Sequence, residues 1–416
     1  MTNYFYKCFN CGGQYTAQQI EDNFMYLCPA CGKAERNKPL KGVLTVEYDY
    51  KKLKKKYSKE KFLRLVPGKF WNYPFLWPIK EYPSEKVLSR LQLNQNPILE
   101  YEIDGRRLHF FDDTRNPTLS YKDRASSLVA LKALELGIKE ISAASTGNAG
   151  SSLAGICARV GIKSHIFVPA AIPEAKRIQI QSYGANIYLV KGSYDDAFDI
   201  CLEISEAKKI YNRNTAYNPL TIEGKKSAAF DMFLQLQGKL PDYIFVPVGD
   251  GVIISGLFKG FYDLKKLGWI KKYPQLIGVQ AKGSNALVRY LEKGEFEFQN
   301  ASTIADSISA SAPRNLYMAA NAIKKSDGTA LAISDDEILD AQCFISKTTG
   351  LLIEPSCAAV YAGFKKFLQS ITVSSKARVM LMLTGNGLKD TAAIMKWSAK
   401  PEICTNDQLK DIFQVK

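Results

Sequence analysis

Asn116 to Arg124 reads N-P-T-L-S-Y-K-D-R, and its lysine, Lys122, is the first candidate for chemistry. An amine attacks a carbonyl or lifts a proton only when neutral, so a working lysine must sit where its water is stripped and its charge released. The chain carries 56 Lys and Arg, most of them solvated, so Lys122 gains weight only from other motifs at fitting positions. Three follow it. Ser145-Thr146-Gly147-Asn148-Ala149-Gly150 comes after a short strand and opens a helix; its backbone N–H groups can converge on a carboxylate, and the Asn148 amide adds a side-chain donor. Gly249-Asp250-Gly251-Val252-Ile253 follows Y-I-F-V-P-V and opens another helix, the arrangement of a phosphate nest. Thr384-Gly385-Asn386-Gly387 follows V-M-L-M-L and sets one hydroxyl at a strand end. Gly and Asn also suit plain turns, but three such turns after one lysine motif point to a shared ligand site.

A second cluster stands near the start. Cys8, Cys11, Cys28 and Cys31 form C-x-x-C, sixteen residues, C-x-x-C, the spacing of a zinc ribbon. Two tight knuckles each supply two thiolates, and Gly12, Gly13, Phe24, Tyr26 and Leu27 between them suit a small hairpin. Four thiolates close the shell and leave no position for water, so the Zn2+ expected here is structural and not catalytic. A redox or vestigial pair of motifs is the alternative, which the spacing and a reducing compartment disfavour. Cys157, Cys201, Cys343, Cys357 and Cys404 lie in apolar surroundings and read as small core residues.

The elements that must position these groups alternate. Lys139 to Ala144 reads as a strand, Gly150 to Val160 as a helix, Ser164 to Val168 as a strand, Glu174 to Tyr183 as a helix, Asn186 to Val190 as a strand and Asp195 to Lys208 as a helix. Tyr243 to Val248, Leu276 to Gln280 and Arg378 to Leu383 are further apolar runs of strand length. Such alternation implies two α/β layers with parallel sheets and crossover helices. Ligands then collect beyond the carboxyl ends of the strands, where the three motifs fall.

Composition bounds the rest. At 416 residues, 46% hydrophobic and 23% charged, the chain is an ordinary globular one with room for two or three domains. Its formal +15 charge invites a nucleic-acid or anionic-surface reading, but it would equally attract small anionic substrates. The densest run, Lys51 to Lys61, reads as the solvated face of a helix. No stretch of eighteen apolar residues is present and the start lacks the regions of a secretory signal, so the expectation is a cytoplasmic protein with no membrane partner.

From about Arg115 to Asp390 the chain resembles the fold-type II pyridoxal-phosphate enzymes, and within them threonine synthase and its relatives. The likeness rests on N-P-T-L-S-Y-K-D-R, A-S-T-G-N-A-G-S-S, V-P-V-G-D-G, T-I-A-D-S-I at Thr303 to Ile308, I-E-P-S at Ile353 to Ser356 and T-G-N-G-L-K-D. Many members carry an N-terminal cysteine ribbon. The resemblance implies a tryptophan synthase β-like fold: a ribbon over 1–38, a larger cofactor-binding domain over 39–125 and 215–416, and a smaller mobile domain over 126–214. It implies that Lys122 carries pyridoxal 5'-phosphate as a Schiff base and then serves as general base. Asn148 would meet the cofactor's phenolic oxygen, Gly249, Asp250, Gly251, Val252 and Ile253 would hold its phosphate, and Thr384 would face the pyridine nitrogen. Ser145, Thr146, Gly147, Asn148 and Ala149 would grip the carboxylate of an amino-acid substrate. A homodimer is implied as well.

Three departures stand out. The family's N-P-x-R-x-E-G run has Thr221 in place of the arginine that meets the leaving phosphate, and a hydroxyl cannot replace a bidentate cation. Asn386 stands where the family has histidine. Asp250 puts a carboxylate in the phosphate loop, unfavourable unless its side chain turns away. The first reading is therefore a threonine-synthase-like lyase, turning O-phosphohomoserine and water into threonine and phosphate. A second is β-elimination or β-replacement on a serine-type substrate, as in a dehydratase or a cysteate-synthase-like enzyme, with Arg314 or Lys225 as the anion contact. A third, from another class, is a zinc-ribbon nucleic-acid-binding protein on an inactive enzyme fold; the intact lysine and loops, and a ribbon without interleaved basic and aromatic residues, speak against it.

Overall fold

The structure, a computed structural model, describes residues 4–65, 73–93, 96–145 and 147–414. Thr146, one of the expected carboxylate-loop residues, lies outside them.

Both expected α/β layers are present. One sheet of four parallel strands runs in the order Asn186–Val190, Lys163–Pro169, Glu140–Ala144, Tyr211–Asn212. The other has six, in the order Thr329–Ile333, Gln275–Ala281, Tyr243–Pro247, Val379–Leu383, Arg106–Asp112, Ile98–Ile103, all parallel except the last pair. That pair is a hairpin, turned at Asp104 and Gly105, both with positive φ, as a two-residue turn requires. Strands buried on both faces by crossover helices can be apolar throughout, and Val379–Leu383 is buried at all five positions.

Helix Lys122–Glu135 joins the two layers. Asp123 to Ala133 are buried without a break, so this helix is packed on all sides, against Asn148–Val160 on one flank and Leu220–Lys225 on the other. The second contact needs a glycine: a Cβ on Gly224 would lie 2.3 Å from the Arg124 carbonyl oxygen. Lys122 thus starts a helix fixed to both layers, and a residue so placed cannot drift.

The N-terminal strands form a third sheet, in which Tyr4–Cys8 pairs antiparallel with Gln14–Thr16 and with Leu44–Tyr48. The ribbon's sheet therefore continues past residue 38. The Lys51 to Lys61 run is two short helices, Tyr50–Lys56 and Lys59–Leu63, each burying one apolar residue, Leu53 and Phe62, and turning its lysines outward. Of the five scattered cysteines, Cys157, Cys201 and Cys357 are buried as expected, whereas Cys343 and Cys404 are only half-buried. Cys343 falls just off the face on which Ile338, Ala341, Gln342 and Ile345 are buried. No helix among the described residues is long and apolar enough to cross a membrane.

Candidate functional site

The lysine motif first positions itself. Asn96 Nδ2 donates to Asn116 Oδ1 at 2.8 Å, and Asn116 Nδ2 donates to the Ser120 carbonyl at 3.1 Å. Asp123 accepts from the Thr118 N–H at 2.7 Å and from the Thr118 hydroxyl at 2.5 Å. Arg124 grips Asp113 with Nε at 2.5 Å and Nη2 at 2.9 Å, and Asp231 with Nη1 at 2.6 Å. The Tyr121 N–H donates to the Thr384 carbonyl at 2.9 Å, so the lysine loop and the threonine loop are one unit. Lys122 itself is half-buried at the first helical position. Desolvation, with the Arg213 charge, pushes its amine down to about 8. A helix N-terminus opposes a cation in the same sense.

Lys122 lines a cleft together with Ser145, Asn148, Ala149, Gly249, Asp250, Gly251, Val252, Ile253 and Thr384. The structure thus brings together residues that lie far apart in sequence, from all three loops. Gly147 caps helix Asn148–Val160 behind this lining. The Ser145 hydroxyl accepts from the Gly147 N–H at 2.9 Å and the Gly150 N–H at 2.8 Å, and so shapes the carboxylate loop. Gly251 has φ +85° and sits so close to Ala319 that a Cβ would approach it to 2.8 Å; as N-cap of Val252–Lys266 it brings no side-chain cap, so the backbone N–H groups of the first turn are available to an anion. Asp250 turns away from that turn: its carboxylate accepts from the Arg314 N–H and from the Tyr194 hydroxyl, each at 3.2 Å.

Pyridoxal phosphate fits these groups. Asn148 spends both amide protons on Glu354 at 2.7 Å and Ser307 at 3.0 Å, and its Oδ1 is buried without a partner among the described residues, open to a ligand hydroxyl. The Ser356 hydroxyl, also buried and without a partner among the described residues, lines the cleft with Thr384. Ser356, Ser307, Tyr194 and Thr215 were given no role from the sequence. The first two fall inside I-E-P-S and T-I-A-D-S-I, which marked the likeness without saying what each residue does. Across the cleft, Lys176 reaches Asp306 at 2.6 Å and Glu354 at 3.1 Å, tying the smaller layer to the larger one.

Other expected contacts are spent elsewhere. Arg314 is bound to Asp195 at 2.5 Å and to the Glu35 and Lys38 carbonyls, with its guanidinium over the Phe198 ring, so it is not the substrate's anion contact. Asn386 caps the turn at Gly387–Lys389, accepting from the Leu388 N–H at 3.0 Å, and is not among the cleft residues. Thr221 is fully buried and its hydroxyl donates to the Asn218 carbonyl at 2.8 Å.

The four cysteine sulfurs lie within 4.8 Å of one another, with Cys8–Cys31 at 3.5 Å and Cys11–Cys28 at 3.6 Å. A tetrahedral metal with bonds of about 2.3 Å to sulfur needs separations of roughly 3.8 Å, so the donor set fits one. The ribbon packs on the segment that enters the cleft: the Tyr26 hydroxyl accepts from the Asn212 N–H at 2.7 Å, and its ring meets Tyr217 at 4.9 Å.

Comparison with known proteins agrees with this geometry. Residues 90–385 match the model of the pyridoxal-phosphate dependent enzyme family. The threonine synthase of Methanocaldococcus jannaschii is 34% identical over 403 residues, 95% of both chains, and that of Methanosarcina acetivorans is 32% identical over 96% of both. Among solved structures, maize serine racemase superposes with a TM-score of 0.63 at 18% identity over 74% of this chain and 94% of that one. Threonine deaminase isoform 2 of Solanum lycopersicum gives 0.60 at 19% over 80% and 97%; both support the fold alone. With its lysine, loops and sheets in that arrangement, the chain belongs to the pyridoxal-phosphate-dependent enzymes of fold type II and, among them, to the threonine-synthase-like lyases.

Proposed function

We propose that this lyase is a threonine synthase, acting on O-phosphohomoserine and water to give threonine and phosphate. The observation that carries the reading is the near full-length likeness to archaeal threonine synthases, joined to a cleft whose lysine stands between a carboxylate loop and a phosphate nest. Pyridoxal phosphate supplies an electron sink that acidifies the protons at the substrate's Cα and Cβ. Lys122 carries it, then takes the Cα proton on its Nζ and returns protons later in the cycle. The N–H groups of Gly249 to Ile253 would hold its phosphate, and Asn148 would meet its phenolic oxygen. Thr384 and Ser356 would offer hydroxyls, not a carboxylate, to its ring nitrogen, and a neutral hydroxyl there would not force that nitrogen to be protonated. Ser145, Gly147, Asn148 and Ala149 orient the substrate carboxylate. Closure of the smaller layer, over 126–214, keeps water out until Cβ is ready, with Lys176 as the latch against Asp306 and Glu354.

Product analysis tests this. Protein loaded with pyridoxal phosphate should yield threonine and phosphate in equal amounts from O-phosphohomoserine and no pyruvate from O-phosphoserine. Pyruvate from O-phosphoserine, with no threonine from the first substrate, would replace this reading by serine-type β-elimination, the alternative that the neutral Thr221 favours.

The depressed pKa of Lys122 sets a pH dependence. Cofactor uptake needs the neutral amine, whose fraction rises with pH through about 8. The rate at which cofactor-free protein takes up pyridoxal phosphate, followed by visible absorbance, should climb through that pH and then level. A solvated lysine would keep climbing to roughly 10.4.

The ribbon is proposed to hold one structural Zn2+. Metal analysis should return one equivalent per chain, and Cys11→Ser with Cys31→Ser should abolish it. Because the ribbon grips Asn212 and Arg314, the double variant should also melt roughly 5 °C lower, read by calorimetry.

A further inference from the structure

Buried cations in this chain come with carboxylates. Arg124 has Asp113 and Asp231, Lys132 has Glu21 and Glu135, Lys226 has Glu223 and Asp263, and Arg314 has Asp195. Among the described residues three lack a carboxylate, and two of these are also short of hydrogen-bond partners. Arg213 and Lys225 are each fully buried, and neither forms an ion pair among the described residues. Lys225 makes one hydrogen bond, from Nζ to the Thr221 carbonyl at 3.2 Å. Arg213 gives Nη1 to the Thr215 hydroxyl at 2.8 Å and Nε weakly to Ser126 at 3.4 Å, while Nη2 has no partner among the described residues. Lys389, the other buried lysine without a carboxylate, differs: its ammonium reaches three oxygens, on Thr118, Ser151 and Gln179.

An isolated buried charge costs several kcal/mol, far more than a fold gains by keeping it. Both cations adjoin residues that line or flank the cleft, behind its lining. Thr215, which takes Arg213, lines the cleft, and the Lys225 carbonyl accepts from the hydroxyl of Tyr121, next to Lys122, at 2.7 Å. Desolvation pushes Lys225 well below its ordinary value, and the charges of Lys122 and Arg213 push it further; Arg213, chiefly by desolvation, falls to about 10. Lys225 lies one turn after Thr221 on helix Leu220–Lys225. Helical side chains at i and i+4 share a face and lean toward the N-terminus, so its ammonium hangs over the turn where Thr221 offers no charge.

We propose that Arg213 and Lys225 form a second anion subsite beside Lys122, separate from the nest at Gly249 to Ile253, which takes the phosphoryl group of a phosphorylated amino-acid substrate. This rests on the proposed reading that the substrate carries a phosphate. The bound dianion supplies the missing countercharge, and the subsite discriminates against substrates that carry a neutral group there.

The test uses the holoenzyme, whose nest the cofactor's own phosphate fills, with inorganic phosphate as probe. Calorimetric titration should show phosphate bound by the parent protein and weakened at least about tenfold in Lys225→Gln and in Arg213→Met, each losing a charge-assisted contact. Pyridoxal phosphate affinity should stay within about twofold, and melting temperatures should not fall, since an uncompensated charge has been removed. KM for O-phosphohomoserine should rise more than kcat falls. Phosphate binding unchanged in both folded variants would overturn the subsite. So would a parallel loss of pyridoxal phosphate, which would assign the cations to the cofactor. If phosphate binding depends on both residues but O-phosphohomoserine is not turned over, the subsite stands and the substrate assignment falls.

Discussion

Lys122→Ala should lower kcat by on the order of 10^3- to 10^4-fold while leaving the fold intact. Among the described residues Lys122 is the one lysine that lines the cleft, and the two jobs proposed for it there are carrying the cofactor and moving the substrate's Cα proton. No neighbour can take over. The Lys225 amine is turned back to the Thr221 carbonyl, and Lys389 is held by Thr118, Ser151 and Gln179. The variant should still bind pyridoxal phosphate through the Gly249 to Ile253 nest, with the spectrum of free aldehyde. A small primary amine added to the assay should restore part of the proton transfer. Steady-state kcat and the visible spectrum read both effects, and near-normal turnover would remove Lys122 from the chemistry.

Arg124→Met should cost about 3 to 5 kcal/mol of stability, the largest loss expected from one side chain in this region. Its guanidinium is fully buried and pairs with both Asp113 and Asp231, while Nη1 also reaches the Ser227 hydroxyl at 2.8 Å. Removing it takes a cation from two buried carboxylates beneath helix Lys122–Glu135, which keep donors such as the Asn96 amide on Asp113 and the Tyr73 hydroxyl on Asp231. Methionine keeps the volume, so what is lost is charge and hydrogen bonding rather than packing. The sign with pH follows. Buried carboxylates that lack a cation have folded pKa values above their unfolded ones, so the folded state binds more protons and stability falls as pH rises between the two. The deficit relative to the parent should therefore be larger at pH 8 than near pH 5. Urea denaturation at the two pH values measures this, and a deficit independent of pH would mean that packing, not charge, is what Arg124 provides.

What the sequence made legible was local. Lys122, the turns at Ser145, Gly249 and Thr384, and the strand–helix alternation are each written within a dozen residues, and the structure joins them at one cleft because parallel strands end on the same side. The Asp104-Gly105 turn carried an equally local signal that went unread. The missing parts depend on distant residues. Leu44–Tyr48 joins the ribbon by pairing with Tyr4–Cys8, a choice that no window around residue 44 contains. Tyr211–Asn212 is a strand of two residues, defined only by its neighbour. Helix Lys122–Glu135 is buried from Asp123 to Ala133, so polar residues such as Asp123, Arg124 and Lys132 look solvated in sequence and are paired in the fold. Arg314 looked like a free cation in A-P-R-N, and only the fold brings Asp195 and the ribbon's carbonyls to it. Burial, more than residue type, separates a paired charge from an available one, and burial is a property of the whole chain.

The central claim is that Lys122, among several buried lysines, holds the cofactor. Reduction of the holoenzyme with borohydride fixes pyridoxal phosphate to whichever amine carries it, and peptide mapping by mass spectrometry then locates the label. The label should fall on Lys122 alone, in the peptide that spans N-P-T-L-S-Y-K-D-R. A label on Lys225, Lys176 or Lys389, or none at all, would contradict the site described for this protein.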